Sequence, residues 1–200
     1  RFPFLNKVTR GVYTPGSIVK PFIAYAALRE DVVHPSLEIE GGDALVIPNP
    51  YTPSAPARFA DWRRQGTIDL REAIAFSSNI YFFLIGGGLP EIAVPQAGLR
   101  EPFAGLGIEK IARYMREFGF GKPTGAAFGE EVGGTVPDPE WKRQVFAEAW
   151  RLGDTYNTAI GQFGFQVTPL QMVRAYAALA NGEGLVTPRL TPTEDMPEMD

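Results

Sequence analysis

The chain has 200 residues, of which 44% are hydrophobic and 21% charged, values typical of an ordinary globular protein with a core of its own. A formal net charge of -4, with lysine and arginine spread along the chain, argues against a nucleic-acid partner. Because there is no cysteine and a single histidine, His34, the composition excludes disulfides, thiolate catalysis, cysteine-ligated zinc and a two-histidine metal site.

The first predicted helix runs from Ser17 to about Glu30, where apolar residues repeat at helical spacing, and Pro35 follows its end. Residues 36–66 are rich in glycine and proline and have no sustained period. We therefore expect loops in this region, with a small ribbon around the strand-like Ala44-Leu45-Val46-Ile47.

Two further helices are predicted on either side of Ser77-Ser78-Asn79. Asp69 can cap the first of them, and Glu72 can reach back as its capping-box partner. The second covers residues 80–85, although a buried strand stays open for so short an apolar run. The buried stripe of the first helix is predicted to contain Leu70, Ala73 and Ile74.

Residues 86–107 are rich in glycine and proline and are predicted to form a loop insertion. An amphipathic helix that ends at Gly119 follows, and then a short helical turn opened by Asp138-Pro139. A last helix begins at the capping box Thr168-Pro169-Leu170-Gln171, and residues 191–200 are predicted to be a disordered, acidic, proline-rich tail. The inward residues of the amphipathic helix are predicted to be Ile108, Ile111, Ala112, Met115 and Phe118. The predicted elements are mainly α.

Ser17 and Lys20 stand three residues apart at the predicted start of the first helix, so their side chains share one helical face. A serine hydroxyl is a weak nucleophile at its free pKa, and a lysine whose charge is suppressed can serve as its base. The helix N-terminus adds partial positive charge near the oxygen as it becomes anionic. The alternative is coincidence, because a serine and a lysine at this spacing occur in most chains of this length.

Ser77-Ser78-Asn79 begins sixty residues after Ser17, at a break between two apolar helices. A hydroxyl and an amide at such a break can point into a shared cleft and hydrogen-bond a lysine amine and a substrate amide. The alternative is that these residues only cap the second helix, which is their usual role. The pair Glu130-Glu131 is predicted to be solvated, since adjacent carboxylates do not face each other.

The segment Tyr13-Thr14-Pro15-Gly16-Ser17-Ile18-Val19-Lys20-Pro21 resembles the active-site segment of penicillin-binding proteins, and Ser77-Ser78-Asn79 resembles their second motif, S-x-N. The similarity is closer to class B enzymes of the penicillin-binding protein 2 type. It extends over residues 1–190, and later landmarks of the family follow in order. These are Gly129-Glu130, Pro137-Asp138-Pro139-Glu140-Trp141-Lys142, Gly153-Asp154-Thr155, Ile160-Gly161-Gln162 and Thr168-Pro169-Leu170-Gln171.

The resemblance implies the helical part of the α/β penicillin-binding, serine β-lactamase-like transpeptidase fold, with most of the central antiparallel sheet missing. Residues 1–190 would be a partial transpeptidase domain. By the same resemblance, Ser17 attacks the D-Ala-D-Ala carbonyl of a peptidoglycan stem peptide and Lys20 takes the serine proton. Ser77 would hold or relay protons near Lys20, and Asn79 would bind Lys20 and the substrate amide. Gly161 and Gln162 are implied as substrate-binding residues.

The resemblance also implies partners and a location, and it implies no cofactor. β-Lactams would acylate Ser17 as mimics of D-Ala-D-Ala. The full-length protein would work with a membrane glycosyltransferase of the elongation machinery, at the extracytoplasmic face of the bacterial inner membrane. An N-terminal anchor absent from this chain would hold it there.

The third family motif, K-[ST]-G, does not occur in the chain. Lys122-Pro123-Thr124-Gly125 looks similar but carries an extra proline and precedes the Thr168 landmark. In relatives the K-[ST]-G strand supplies one oxyanion-hole donor, and the loss of one donor costs about two to three orders of magnitude in rate. We therefore expect this chain alone to be nearly inactive. The alternatives are a D,D-carboxypeptidase or β-lactamase relative, and a non-catalytic β-lactam sensor or assembly scaffold.

Overall fold

The computed structural model describes residues 4–49, 52–91, 102–127 and 129–190. These residues form two compact units. The smaller unit comprises Arg1–Tyr13, Met115–Val136 and Gln166–Asp200, and the larger unit comprises Thr14–Tyr114 and Pro137–Phe165. The predicted tail at 191–200 and residues 92–101 of the predicted loop insertion lie outside the described residues. The boundaries proposed for a partial transpeptidase domain stay a prediction.

Most of the regular structure in the described residues is helical, as expected. A short 3-10 helix spans Gly16–Val19. The α-helices are α1 (Lys20–Arg29), α2 (Leu70–Ala75), α3 (Asn79–Gly87), α4 (Gly107–Glu117), α5 (Pro139–Phe146), α6 (Leu152–Ala159) and α7 (Pro169–Asn181). The strands are β1 (Ile39–Gly41), β2 (Ala44–Ile47), β3 (Ala57–Ala60) and β4 (Gly66–Ile68).

The strands form two small antiparallel ribbons within the described residues, β1 with β4 and β2 with β3. The strand predicted at 44–47 is therefore confirmed, and its partner is β3. The ring of Phe59 in β3 packs edge-on against the rings of Phe83 and Tyr156, with centroids 5.8 and 4.9 Å away. These contacts tie the β2–β3 ribbon to the helices of the larger unit.

Helix α3 is the centre of the larger unit and packs against α1, α2 and α6. Its residues 80–86 are all buried, which confirms the predicted buried helix and excludes the strand alternative. Helix α6 approaches α3 closely because Gly86 and Gly87 have no side chains. A Cβ atom at Gly86 would lie 2.5 Å from the Ala159 Cβ, and one at Gly87 would lie 2.5 Å from the Tyr156 ring. Full burial of each large apolar side chain stabilises such a core by about 1.5–3 kcal/mol.

The predicted helix starts are confirmed by their caps. Asp69 and Glu72 form the capping box of α2, Thr168 and Gln171 form that of α7, and the Asp138 carboxylate accepts from the Trp141 amide at the start of α5. One prediction about α2 is wrong: Ile74 is 39% exposed, because α2 has six residues and turns only Leu70 and Ala73 inward. Helix α6 was not predicted, since its sequence LGDTYNTA has no helical stripe of large apolar residues.

In the smaller unit, polar side chains hold the loops beside α7. The Gln171 amide donates to the carbonyls of Lys122 and Gly133 at 2.8 and 2.7 Å. The prediction that the pair Glu130-Glu131 is solvated holds for Glu130, whose side chain is 81% exposed. It is wrong for Glu131, whose carboxylate accepts from the Thr124 amide and hydroxyl and from the Ala126 amide. These hydrogen bonds lower the pKa of Glu131 against the opposing effect of burial. Thr124, the threonine of the K-P-T-G stretch, is thus engaged in loop structure.

The inward residues predicted for α4 and the turn after it are all buried, which confirms that amphipathic helix. They are Ile108, Ile111, Ala112, Met115 and Phe118. Among the described residues, no helix combines the length and the apolar character that a bilayer crossing requires.

Candidate active site

Ser17 lies on the 3-10 helix Gly16–Val19, one turn before α1 begins at Lys20. Gly16 adopts a left-handed conformation with φ of 60°, and its amide donates to the Gly161 carbonyl at 3.0 Å. The tight turn leaves Ser17 exposed, whereas Val19 and Lys20 point into the core. The segment therefore presents a serine to solvent and buries the lysine that follows it.

Lys20 is only 1% exposed, and its ammonium group is held by the 77–79 segment. The Nζ atom donates to the Ser77 carbonyl at 2.7 Å, the Ser77 hydroxyl at 3.1 Å and the Asn79 Oδ1 atom at 2.9 Å. The Phe82 ring lies beside it, with its centroid 5.4 Å from Nζ. Burial lowers the pKa of Lys20 to about 8, although the Asp61 carboxylate acts in the opposite direction. About a tenth of the lysine is therefore neutral at pH 7.

Ser77 and Asn79 face Lys20, and Ser78 between them does not. Ser77 adopts a left-handed conformation with φ of 56°, which directs both its carbonyl and its hydroxyl toward Nζ. Ser78 is the N-cap of α3, and its Oγ atom accepts from the Tyr81 amide at 3.3 Å. The capping alternative thus holds for Ser78, while the residues on either side of it bind the lysine. The strained backbone of a non-glycine residue at 77 is a feature that often marks functional sites.

Asp61 is a part of this cluster that sequence reasoning missed. It follows β3 and reaches the N-terminus of α3, where its Oδ2 atom accepts from the Ser78 hydroxyl at 2.8 Å, the Asn79 amide at 3.0 Å and the Ile80 amide at 3.2 Å. Its Oδ1 atom accepts from the Trp62 amide at 2.8 Å. No periodicity or local motif marks Asp61, because its partners lie up to nineteen residues away in the chain.

Gly161 and Gln162, the predicted substrate-binding residues, lie against the turn at Gly16 rather than against Lys20. Gly161 has φ of 75°, and a Cβ atom there would lie 2.2 Å from the Gly16 carbonyl oxygen. Gln162 is exposed, and its Nε2 atom would lie 3.7 Å from a Cβ atom at Gly16. Their binding of substrate stays a prediction, because the geometry shows only that they border Gly16, the residue before Ser17.

The hydroxyl of Ser77 and the amide of Asn79 hold a buried lysine with a lowered pKa, and the exposed Ser17 precedes that lysine by three residues. Such a set can support nucleophilic catalysis by an alkoxide. Within the described ranges there is no group of three or more histidine or acidic side chains that could hold a metal ion.

Comparison with known proteins agrees with the motifs. The family model described as the penicillin binding protein transpeptidase domain matches residues 1–198. The peptidoglycan D,D-transpeptidase MrdA of Haemophilus influenzae is 35% identical over 190 residues, which cover 94% of this chain and 26% of that protein. The chain therefore spans about a quarter of the length of this curated relative.

Solved structures give the same result. A crystal structure of Pseudomonas aeruginosa PBP2 in complex with WCK 5153 is 31% identical, with a TM-score of 0.80 over 99% of this chain and 41% of that chain. A complex between PBP2 and MreC from Helicobacter pylori is 31% identical, with a TM-score of 0.78 over 98% of this chain and 32% of that chain. The fold is thus a helical part of the penicillin-binding protein transpeptidase fold, and the chain belongs to the transpeptidase-domain family, in its PBP2 (MrdA) type.

Proposed function

We propose that this chain carries the nucleophile of a peptidoglycan D,D-transpeptidase, with Ser17 as the residue that becomes acylated. The observation that carries the proposal is the environment of Lys20. Its ammonium group is buried, is bound by the two motif residues Ser77 and Asn79, and has a pKa low enough for part of it to be neutral near pH 7.

In the proposed reaction, neutral Lys20 accepts the Ser17 proton as the serine oxygen attacks the penultimate D-alanyl carbonyl of a stem peptide. The new C–O bond forms, the C–N bond to the terminal D-alanine breaks, and D-alanine leaves with a proton. An amine from a neighbouring stem peptide then attacks the ester, forms the cross-link and returns the serine hydroxyl. Ser77 and Asn79 hold Lys20 in place, and Asn79 also binds the substrate amide.

The same chemistry predicts that β-lactams acylate Ser17. A β-lactam carbonyl is an activated amide, and attack by Ser17 opens the ring without releasing a separate leaving group. The acyl-enzyme therefore persists, which makes a fluorescent penicillin a direct probe of Ser17. We propose further that the 200-residue chain alone acylates slowly, because it contains no K-[ST]-G motif to complete an oxyanion hole.

Partners and location belong to the same proposal. Because PBP2 of Helicobacter pylori forms a complex with MreC, we expect the protein that carries this chain to bind a partner of that kind. We also expect it to work with a membrane glycosyltransferase of the elongation machinery. It would act at the extracytoplasmic face of the inner membrane, anchored by a segment outside this chain.

The test is labelling of the full-length protein with a fluorescent penicillin, followed by mass spectrometry of the tryptic peptide that contains residues 11–29. Ser17 is the sole serine of that peptide, so an adduct on a serine there identifies it. We expect Ser17→Ala to abolish labelling. Ser36→Ala, which changes an exposed loop serine of the same unit, is the matched control and should leave it unchanged. Labelling that survives Ser17→Ala would refute the assignment.

A second measurement separates transpeptidation from hydrolysis. With a stem pentapeptide and an acceptor amine, the proposal predicts a cross-linked dimer and released D-alanine in equal amounts. Release of D-alanine without a dimer would indicate a carboxypeptidase. Labelling by penicillin with neither product would indicate a sensor or scaffold.

A further inference from the structure

Among the described residues, the carboxylate of Asp61 accepts hydrogen bonds on both of its oxygens. Its Oδ2 atom accepts from the hydroxyl of Ser78 and from the amides of Asn79 and Ile80, and its Oδ1 atom accepts from the Trp62 amide. Asp61 therefore binds each residue from 78 to 80 and fixes the first turn of α3. Its own position is set by the end of β3, since its amide donates to the Asp43 carbonyl at 3.0 Å.

A carboxylate satisfies the donors on both of its oxygens, which an amide does not. An asparagine at position 61 would have one acceptor and one NH2 group, so in either orientation its NH2 group would face an N–H or O–H donor. The contacts to residues 78–80 are part-buried, so an NH2 group turned toward them loses those hydrogen bonds and pays the cost of desolvation. In the other orientation the exposed hydrogen bond from the Trp62 amide is lost.

Asp61 is linked to Lys20 through Asn79. The Asn79 backbone amide donates to the Asp61 carboxylate. The Asn79 side chain accepts from the Lys20 ammonium through Oδ1 and donates to the Ala60 carbonyl through Nδ2, at 3.4 Å. We infer that Asp61 is a positioning residue for acylation, which sets the place of Asn79 and through it the place of Lys20. The inference rests on the proposed function, because it concerns the reactivity of Ser17.

The charge of Asp61 provides a signature that a purely structural cap would lack. Among the described residues, the groups in contact with the Lys20 ammonium are Ser77, Asn79 and Phe82, which are uncharged. The charge of the Asp61 carboxylate raises the Lys20 pKa against the larger effect of burial. Removal of that charge should lower the Lys20 pKa further. Loosening of the site with entry of water should instead raise it, since burial is what lowers it. The two outcomes have opposite signs.

The experiment measures the acylation rate constant of the full-length protein with a fluorescent penicillin between pH 6 and pH 10. In the wild type, the rate should rise with a midpoint near the Lys20 pKa of about 8. For Asp61→Asn we expect a fall of about 10-fold to 100-fold in the plateau rate and a shift of the midpoint to lower pH by roughly half a unit or more. An unchanged profile, or a midpoint that moves upward, would overturn the inference.

Asp69→Asn is the matched control. Asp69 caps the neighbouring helix α2 through one amide contact, and an asparagine serves equally well as an N-cap. It should change neither the plateau nor the midpoint. If it reproduces the effects of Asp61→Asn, loss of an aspartate cap is sufficient and the inference fails.

A double variant tests the route through Asn79. If Asp61 acts by placing Asn79, Asp61→Asn combined with Asn79→Ala should be no slower than Asn79→Ala alone, within about threefold. If the fold losses in acylation rate of the two single variants multiply in the double variant, the inference is overturned. If circular dichroism shows that Asp61→Asn does not fold, Asp61→Glu is measured in its place, because it keeps the charge and moves it by one methylene. It should lower the plateau with the midpoint near that of the wild type, and an unchanged plateau would contradict the inference.

These outcomes are distinct from failure of the proposed function. Penicillin labelling that persists in Ser17→Ala removes the function. A normal Asp61→Asn profile, with labelling that still depends on Ser17, removes only the role of Asp61.

Discussion

The contact between Gly161 and Gly16, in the turn before Ser17, allows a quantitative prediction. Gly161 has φ of 75°, and its carbonyl accepts from the Gly16 amide. A Cβ atom at position 161 would lie 2.2 Å from the Gly16 carbonyl oxygen and 2.8 Å from the Gly16 nitrogen. These are backbone atoms, so Gly161→Ala can be accommodated only by a shift of the turn that carries Ser17.

The matched control is Gly66→Ala, at a glycine of the larger unit with φ of 70° and no atom within 4 Å of a Cβ atom. Both variants place alanine in the left-handed region, which costs about 1–2 kcal/mol. Both also gain a similar amount of stability, because alanine makes the unfolded chain less flexible than glycine does. The difference between them is therefore the steric term at Gly161, about 1–3 kcal/mol by analogy with overpacked cores. For a chain of this size, that difference corresponds to roughly 2–12 °C in Tm.

Two assays follow from this estimate. Thermal unfolding by circular dichroism should rank the wild type above Gly66→Ala and Gly66→Ala above Gly161→Ala. Acylation of the full-length protein by a fluorescent penicillin should fall by about 10-fold to 100-fold in Gly161→Ala and stay within about twofold of the wild type in Gly66→Ala, because only Gly161 contacts the turn before Ser17. Equal Tm values and equal acylation rates for the two variants would refute the reasoning.

Three further predictions come from other parts of the structure. If Lys20, with a pKa of about 8, acts as a base, the acylation rate should increase about tenfold between pH 7 and pH 9, and a flat profile would contradict this role. Hydrogen bonds from a lysine, a tyrosine and an arginine lower the pKa of Glu30 to about 2. Glu30→Gln should therefore lower the urea midpoint at all pH values above about 4.5, and the difference should shrink as the pH falls toward 2; a difference independent of pH would disprove the linkage. Gly86→Ala gains about 1 kcal/mol of helix propensity but places a Cβ atom 2.5 Å from that of Ala159, and overpacking costs about 1–3 kcal/mol. We expect a net loss of stability, which Ala159→Gly should relieve in the double variant.

The sequence predicted helix starts well, because caps are local. Asp69 with Glu72 and Thr168 with Gln171 are separated by three residues, and side chain and backbone meet within one turn. Helix α6 escaped prediction for the opposite reason. Its burial depends on its contact with α3, and no stripe of large apolar residues marks it in advance. The exposure of Ile74 likewise depends on which side of a short helix faces the core.

In the candidate active site, too, some features follow from local sequence and others from tertiary packing. The sequence by itself determined that Ser17 and Lys20 share one helix turn, and resemblance to a family of known motifs pointed to Ser77 and Asn79. It did not determine that Ser17 is exposed while Lys20 is buried, or that Ser77 rather than Ser78 turns toward the lysine.

The tertiary structure decided these points, because each depends on groups far apart in the chain. Lys20 is buried against Ser77, which lies 57 positions later in the chain, and this burial lowers its pKa. The carboxylate of Asp61, at the end of the β2–β3 ribbon, holds the 78–80 turn. Local pattern specifies which residues can carry the chemistry. Desolvation and long-range hydrogen bonds exist only after the chain has folded, and they determine the charge and the position of those residues.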